Sequence, residues 1–385
     1  MKQIKLLNKI APVGTNRFDK SEFEVSTAFD TPEAIMVRSA SMHEMEFNPE
    51  LKAIARCGAG VNNIPLDKCA DQGIVVFNTP GANANGVKEL AIAALLLASR
   101  NIIGGVEWAN TLTTDVAKSV EAGKSAFGGC ELKGKTLGVI GLGAIGGIVA
   151  NAAKSLGMTV VGCDPYITVD AAWGLSSSIK KAATYEEIYE MCDYITLHVP
   201  ATKDTKNMIN AGTIAHMKQG VKIINLSRAD LVCASDIKAA IADGHVSAYV
   251  TDFPTEETIN TPGIVTIPHL GASTGESEDN CAIMAADQLI EYLTTGNIKN
   301  SVNYPAISMP KTDANRIVIL HKNIPNMISH VTSTLAAQNI NIENMANRSK
   351  GDYACTLIDT YTDVTKEVFA AMKSMDGIIR VFCLD

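Results

Sequence analysis

No segment of this chain is both long and apolar enough to cross a membrane. Its richest apolar run, Leu90 to Ala98, is closed by Glu89 and Arg100, whereas a span needs about 20 apolar residues; the run reads as a buried helix. The N-terminus, MKQIKLLNKIAPVG, breaks its Leu and Ile with lysines and lacks the continuous apolar region of a secretory signal. Paired cysteines are also missing. Nine cysteines (Cys57, Cys69, Cys130, Cys163, Cys192, Cys233, Cys281, Cys355, Cys383) stand singly, without a CxxC and in odd number. That distribution argues against a disulfide framework and a zinc site and points to reduced thiols in a cytoplasmic protein. A cationic stripe is absent: 33 Lys and Arg against 41 Asp and Glu give a net charge of −8, spread along the chain. Neither nucleic acid nor a membrane surface is therefore expected as a partner.

What is present is an ordinary globular composition, 46% apolar and 19% charged, over 385 residues. That length exceeds one compact core and predicts two or three domains. From Ile4 to about Ala98, short apolar runs (QIKLL, EAIMVR, LKAIARCG, GIVVFN) alternate with polar and helix-forming segments, the rhythm of an open parallel sheet. It restarts near Ile103 with TLGVIGLG, TVVGCDP, YITLHVP, KIINLSR, VSAYVTDF and IVTIPHL. Each run ends in residues that open a loop, and ligands bind at such carboxyl strand ends in open α/β sheets. Residues 301–314, with Pro305 and Pro310, read as a linker. The remainder follows a β-α-β-β-α-β, ferredoxin-like order.

Gly141-Leu142-Gly143-Ala144-Ile145-Gly146 follows a strand-like run and precedes a helical one. A bare GxGxxG is weak; strand before and helix after make it a dinucleotide fingerprint. Its first Gly permits the turn, the second lets amides approach a pyrophosphate, and the third allows close helix packing. Asp164 and Pro165 stand at the next strand end, where a carboxylate accepts from ribose hydroxyls and repels a 2′-phosphate. NAD is favoured over NADP.

Three further strand ends carry Arg228, Glu256 and His269. Oxidising a 2-hydroxy acid takes a base for the hydroxyl proton, a cation for the carboxylate and a hydride acceptor; His, Arg and NAD supply them. A Glu bonded to the far imidazole nitrogen would orient the ring and favour its protonated form. In order, GLGAIG, the DP pair, LHVP, NLSR, FPTE and PHLGAST resemble the motifs of the D-2-hydroxyacid dehydrogenases over roughly Leu51 to Asp287. The resemblance implies His269 as general acid/base, Glu256 as its partner and Arg228 as substrate anchor. It places His198 and Pro200 on the adenine side and Thr205, Asn225 and Ser227 along the cofactor pocket. Family members often carry Asp-Val-Phe before the Glu, with the Asp near the nicotinamide; Thr251-Asp252-Phe253 displaces that Asp by one position. Strand side chains alternate, so Thr251, Asp252 or neither could reach the carboxamide.

For the substrate, Arg38, Ser39, Arg56, Gly58, Ala59, Gly60 and Asn62 match loops that members acting on 3-phosphoglycerate use. The glycine turn would bind a carboxylate, and Arg38, Arg56 and Lys124 a phosphate. At the C-terminus, Ile317 to Asp385 resembles an ACT module. The resemblance implies that His321, Asn323 and Asn341 (the last at the start of the second strand of the module) hold a serine effector where two such modules pair. Asn326 replaces the usual Gly there.

The expected fold is therefore α/β: a Rossmann-type doubly wound parallel sheet (95–282) inserted in a flavodoxin-like substrate domain (1–94 and 283–305), then a linker (306–314) and a ferredoxin-like ACT domain (315–385). The expected activity is NAD-dependent oxidation of 3-phosphoglycerate to 3-phosphohydroxypyruvate, the first step of serine biosynthesis, in a homodimer or homotetramer without metal. The rivals are a glyoxylate or hydroxypyruvate reductase and a non-catalytic NAD-sensing protein.

Overall fold

The structure is a computed structural model and describes residues 1–384. It divides into two compact units, Met1–Asn83 with Glu278–Asp385, and Ala84–Ser277.

The first unit opens with five parallel strands, β1 (Lys2–Leu6), β2 (Phe23–Ser26), β3 (Ala34–Val37), β4 (Ala53–Arg56) and β5 (Val75–Phe77). Their order, β2-β1-β3-β4-β5, is the flavodoxin-like one. Strands β3 and β5 are buried along their whole length, as expected of a parallel sheet covered on both faces.

The second unit holds seven parallel strands, β6 (Thr136–Ile140), β7 (Thr159–Cys163), β8 (Lys180–Lys181), β9 (Tyr194–Leu197), β10 (Val221–Asn225), β11 (Val246–Thr251) and β12 (Ile264–Thr266). The order β12-β11-β10-β9-β6-β7-β8 reverses direction between β6 and β9, the switch point of a Rossmann-type sheet. The Ala84–Ser99 helix lies on this sheet: its Val87, Ala91, Ala94, Leu95 and Ala98 share a core with Leu137, Val139 and Val149. The expected border at residue 94/95 therefore falls at 83/84, because the apolar stripe of that helix is matched to the second sheet. The border expected at 282/283 falls at 277/278.

The C-terminal part of the first unit forms β13 (Asn315–Lys322), β14 (Asn344–Lys350), β15 (Tyr353–Thr360) and β16 (Ile378–Leu384), with helices Met327–Ala337 and Lys366–Lys373 between them. The sheet is antiparallel, ordered β14-β15-β13-β16. Alternation splits its strands into two apolar faces. Ile317, Ile319 and Ile358 pack with Val331, Leu335, Val368 and Met372 of its own helices. Val318, Leu320, Cys355 and Leu357 join the core formed by Ala285, Leu289, Tyr292 and Leu293 of the Gly275–Thr295 helix with Ile4 and Phe77. Each such side chain contributes about 1.5–3 kcal/mol on full burial, so this sheet is fastened on both sides.

Residues 306–314 are correspondingly not a loose linker: Ile307 pairs with Ile298, and Ile307 and Met309 are buried. Arg316 closes the junction. Its guanidinium is fully buried and donates to Asp359 through Nε (2.7 Å) and Nη2 (2.9 Å), to Thr295 and Met309 carbonyls through Nη1, and to the Pro310 carbonyl through Nη2. All five N–H groups of an arginine are thereby used. Among the described residues no single helix is long and apolar enough to cross a membrane.

Candidate active site

The glycine turn connects β6 to the Gly146–Ser155 helix. Gly141 has φ 89°, where only glycine sits without strain, and a Cβ there would meet the His198 carbonyl at 2.5 Å. A Cβ on Gly146 would run into the Gly141 carbonyl. At Gly143, by contrast, a Cβ would meet nothing within 4 Å, and Gly143 and Ala144 are exposed with Ile145 half-buried. Two glycines are thus required by the protein's own packing, while the third leaves open space over a helix N-terminus, the place a pyrophosphate would occupy. Asp164 accepts from the amides of Leu142 and Tyr166, both at 2.8 Å. It fixes the turn and lines, with Leu142, Gly162, Pro165, Ile167 and Lys181, a cavity of about 370 Å³. A nucleoside end would fit there.

His198 ends β9. One ring nitrogen lies 3.0 Å from Thr196 Oγ1, while Nδ1 is buried without a partner, and burial pulls the imidazole down to about 4. It is a neutral ring under the glycine turn. Thr205 donates to the Pro200 carbonyl (2.6 Å) and shapes the loop beyond it.

Asn225, fully buried at the end of β10, is a scaffold for the Arg228 loop. It donates to the Arg228 carbonyl (2.8 Å) and accepts from the amides of Ser227 (3.2 Å) and Arg228 (3.4 Å). Ser227 ties the same loop to the Leu197 carbonyl (2.7 Å). Asn225 and Ser227 thus serve loop shape, and Arg228 is left exposed, with Nη1 donating to the Ser227 carbonyl (2.6 Å).

His269, also exposed, stacks on Phe253 with centroids 4.6 Å apart at 47°. The expected bond from Glu256 is not formed: among the described residues neither the Glu256 carboxylate nor the His269 ring nitrogens have a hydrogen-bond partner. Both groups are open to water, which competes for an exposed pair, and such contacts often tighten only around a ligand.

The carboxylate that does sit behind this loop is Asp252. It is buried; Oδ2 accepts from the Gly271 amide (3.1 Å) and Oδ1 has no partner. Burial raises its pKa, opposed by the Gly271 amide and by the charges of His269 and Arg228. Thr251 points the other way and accepts from the Phe253 amide (3.1 Å). The alternation expected at this displaced Asp therefore aims Asp252 at the His269 turn.

In the first unit, Asn8 Oδ1 accepts from three successive amides, Arg38 (3.0 Å), Ser39 (3.1 Å) and Ala40 (3.0 Å). Asn8 carries no motif and escaped the sequence reading. Arg38 Nη2 lies 2.5 Å from Glu278. Arg56 folds over its own turn, Nη1 donating to the Cys57 carbonyl (3.4 Å), and a Cβ on Gly58 (φ 150°) would strike its guanidinium. Gly58 to Gly60 is braced from below: Thr79 N donates to the Gly58 carbonyl (3.0 Å), Asn78 to the Ala59 carbonyl (2.7 Å), and Gln288 to the Asn78 carbonyl (3.0 Å). The Asn62 carbonyl meets the His43 ring (2.9 Å). Lys124 belongs to the second unit, exposed and paired with Glu121 at 2.5 Å.

Residues 92–271 match the model of the D-isomer specific 2-hydroxyacid dehydrogenase NAD binding domain. A D-3-phosphoglycerate dehydrogenase of Haemophilus influenzae is 31% identical over 87% of this chain and 82% of its own length. The chain belongs to the D-isomer specific 2-hydroxyacid dehydrogenases. An Escherichia coli D-3-phosphoglycerate dehydrogenase is 33% identical over 86% of this chain and 81% of its own. Among solved structures, the NAD-bound 3-phosphoglycerate dehydrogenase of Entamoeba histolytica aligns with a TM-score of 0.62 at 28% identity, covering 78% of this chain and 98% of that one. NAD is accordingly the cofactor of this dehydrogenase.

The three residues expected to hold an amino-acid effector are not gathered as free ligands. His321 is buried on β13, its ring nitrogens taken by the Lys322 carbonyl (2.8 Å) and Thr356 Oγ1 (3.0 Å), and Thr356 in turn donates to Asn347 (2.8 Å). Asn323 donates to the Gly351 carbonyl (3.0 Å). Asn341 lies exposed three residues ahead of β14 instead of opening it, because Ile340 and Ile342 anchor that stretch to the helices before pairing begins.

Proposed function

We propose that this enzyme oxidises 3-phospho-D-glycerate at its C2 hydroxyl to 3-phosphohydroxypyruvate. The observation that carries the proposal is the placing of Arg228 and His269, with the glycine turn, at carboxyl strand ends of one sheet, in a chain about one third identical to D-3-phosphoglycerate dehydrogenases. NAD, bound at the glycine turn, supplies the hydride acceptor. His269 removes the hydroxyl proton on a ring nitrogen, and its exposure in the unliganded chain lets the proton pass on to water. Arg228 pairs with the substrate carboxylate through a forked contact; Asn225 fixes the backbone of its loop, and the guanidinium leaves the Ser227 carbonyl to make the pair. A Glu256 carboxylate brought against His269 favours the imidazolium. Arg38, Arg56 and Lys124 take the phosphate. The C-terminal βαββαβ module serves as an ACT-type sensor, with serine as effector. The exposed Leu96, Ile102, Ile103 and Val106 support assembly into homodimers or homotetramers, because exposed apolar patches mark interfaces.

The test is NADH formation, followed by absorbance, with 3-phosphoglycerate, D-glycerate and D-lactate, with and without serine, beside His269→Ala. Turnover confined to 3-phosphoglycerate, lost in His269→Ala and lowered by serine, is expected. Turnover of lactate or glycerate alone would remove the phosphate assignment.

A further inference from the structure

Arg38, on the loop after β3, is already held by a carboxylate: Glu278 lies 2.5 Å from its Nη2, with the two side chains 43% and 42% exposed. Helix starts favour acidic residues, and Glu276, Glu278 and Asp279 all stand near the start of the Gly275–Thr295 helix. That general preference does not explain the pairing. Among the described residues neither Glu276 nor Asp279 has a hydrogen-bonded or ion-paired cation, whereas Glu278 reaches the one arginine of the β3 loop.

The backbone around Arg38 offers an anion nothing in compensation. The three amides that could cradle it, Arg38 N, Ser39 N and Ala40 N, are spent on Asn8 Oδ1. The guanidinium is what remains, and a guanidinium binds a carboxylate and a phosphate through the same fork of N–H groups.

We propose that Glu278 is a built-in competitor for the anionic end of the substrate, occupying the Arg38 guanidinium until the substrate phosphate displaces it. It thereby sets substrate affinity in the proposed oxidation of 3-phosphoglycerate, on whose assignment of Arg38 this inference rests. The exchange forms and breaks no covalent bond: one ion pair opens, another closes, and Glu278 returns to water, which its 42% exposure allows. The site thus accepts a multiply charged anion that outbids one carboxylate and disfavours weaker anions.

Glu278→Gln keeps the shape and removes the charge. An exposed pair of this kind converts to a roughly two- to five-fold change in equilibrium, so the KM for 3-phosphoglycerate should fall by that factor. The inhibition constant of inorganic phosphate should fall with it, the effect should reside in KM rather than kcat, and raising the salt should shrink it. A KM that stays the same or rises in Glu278→Gln would overturn the inference. Arg38→Ala separates the two layers. If it leaves KM unchanged, the assignment of Arg38 to the substrate fails; if it raises KM while Glu278→Gln does nothing, Arg38 stands and the competitor role alone is lost.

Discussion

Replacing Arg316 with Met should loosen the C-terminal sheet by several kcal/mol, on the order of the cost of breaking a buried ion pair. The side chain is 0% exposed and its partner Asp359 is 1% exposed, with the Arg316 guanidinium the only group bonded to that carboxylate among the described residues. Met keeps the aliphatic stem and deletes the charge, leaving Asp359 buried and unpaired, a loss of about 3–5 kcal/mol for a broken buried pair. The carbonyls of Thr295, Met309 and Pro310 lose their donors too, at about 1 kcal/mol each where water cannot replace them. A chain of this size need not unfold in one step, so the assay is local: hydrogen exchange, read by mass spectrometry on peptides covering β13 and β15. A 3 kcal/mol loss corresponds to somewhat more than a hundred-fold faster exchange. The double variant Arg316→Met with Asp359→Leu should recover a good part, because both charges are gone. Less than a ten-fold change in the single variant would refute the reasoning, and so would a double variant worse than the single one.

Three other expectations are direct. Gly146→Ala forces a Cβ into the Gly141 carbonyl, so it should cost about 1–3 kcal/mol and weaken NAD binding, measured by fluorescence titration, at least ten-fold. His198 has a folded pKa of about 4, below its unfolded value. Its contribution is therefore complete above about pH 6.5 and lost as pH falls through 4, worth up to roughly 3 kcal/mol; the urea midpoint should drop between pH 6.5 and 4, and less steeply in His198→Gln. Asp252 has the opposite sign: burial raises its folded pKa, so its ionised form opposes folding as pH rises above the unfolded value of about 3.9. Asp252→Asn should then raise the melting temperature at pH 8 while lowering kcat, and a lower melting temperature would contradict this.

Much of this site is local in sequence, and that part was readable. The glycine turn, Asp164, Arg228 and His269 each sit at the end of an apolar run, so strand, turn and side chain are specified within a few residues. The two parallel sheets and the βαββαβ order follow from the same periodicities. What stayed hidden depends on residues far apart in the chain. Asn8 caps amides thirty residues away, Arg316 meets Asp359 across 43 positions, and Glu278 finds Arg38 from the other end of the first unit. The resemblance to an ACT module names His321 as a ligand, but its turn toward Thr356 depends on the pairing of β13 with β15, which lies far off in the chain. The compact units divide at 83/84 and not at 94/95 for the same reason, since the Ala84–Ser99 helix declares its apolar stripe but not the sheet that receives it.

The C-terminal sheet reads in sequence as a separate module after a linker, yet one of its two faces is a wall of the first unit's own core. Cutting the chain before Arg316 would not liberate a catalytic core. It would strip Leu289, Tyr292 and Leu293 of their cover and offer the solvent an oily flank, so a shortened enzyme should clump or be degraded. With helices on the other face, the sheet has only its rims left for company. A second copy that met this sheet would therefore approach it edge-on, along β14 or β16.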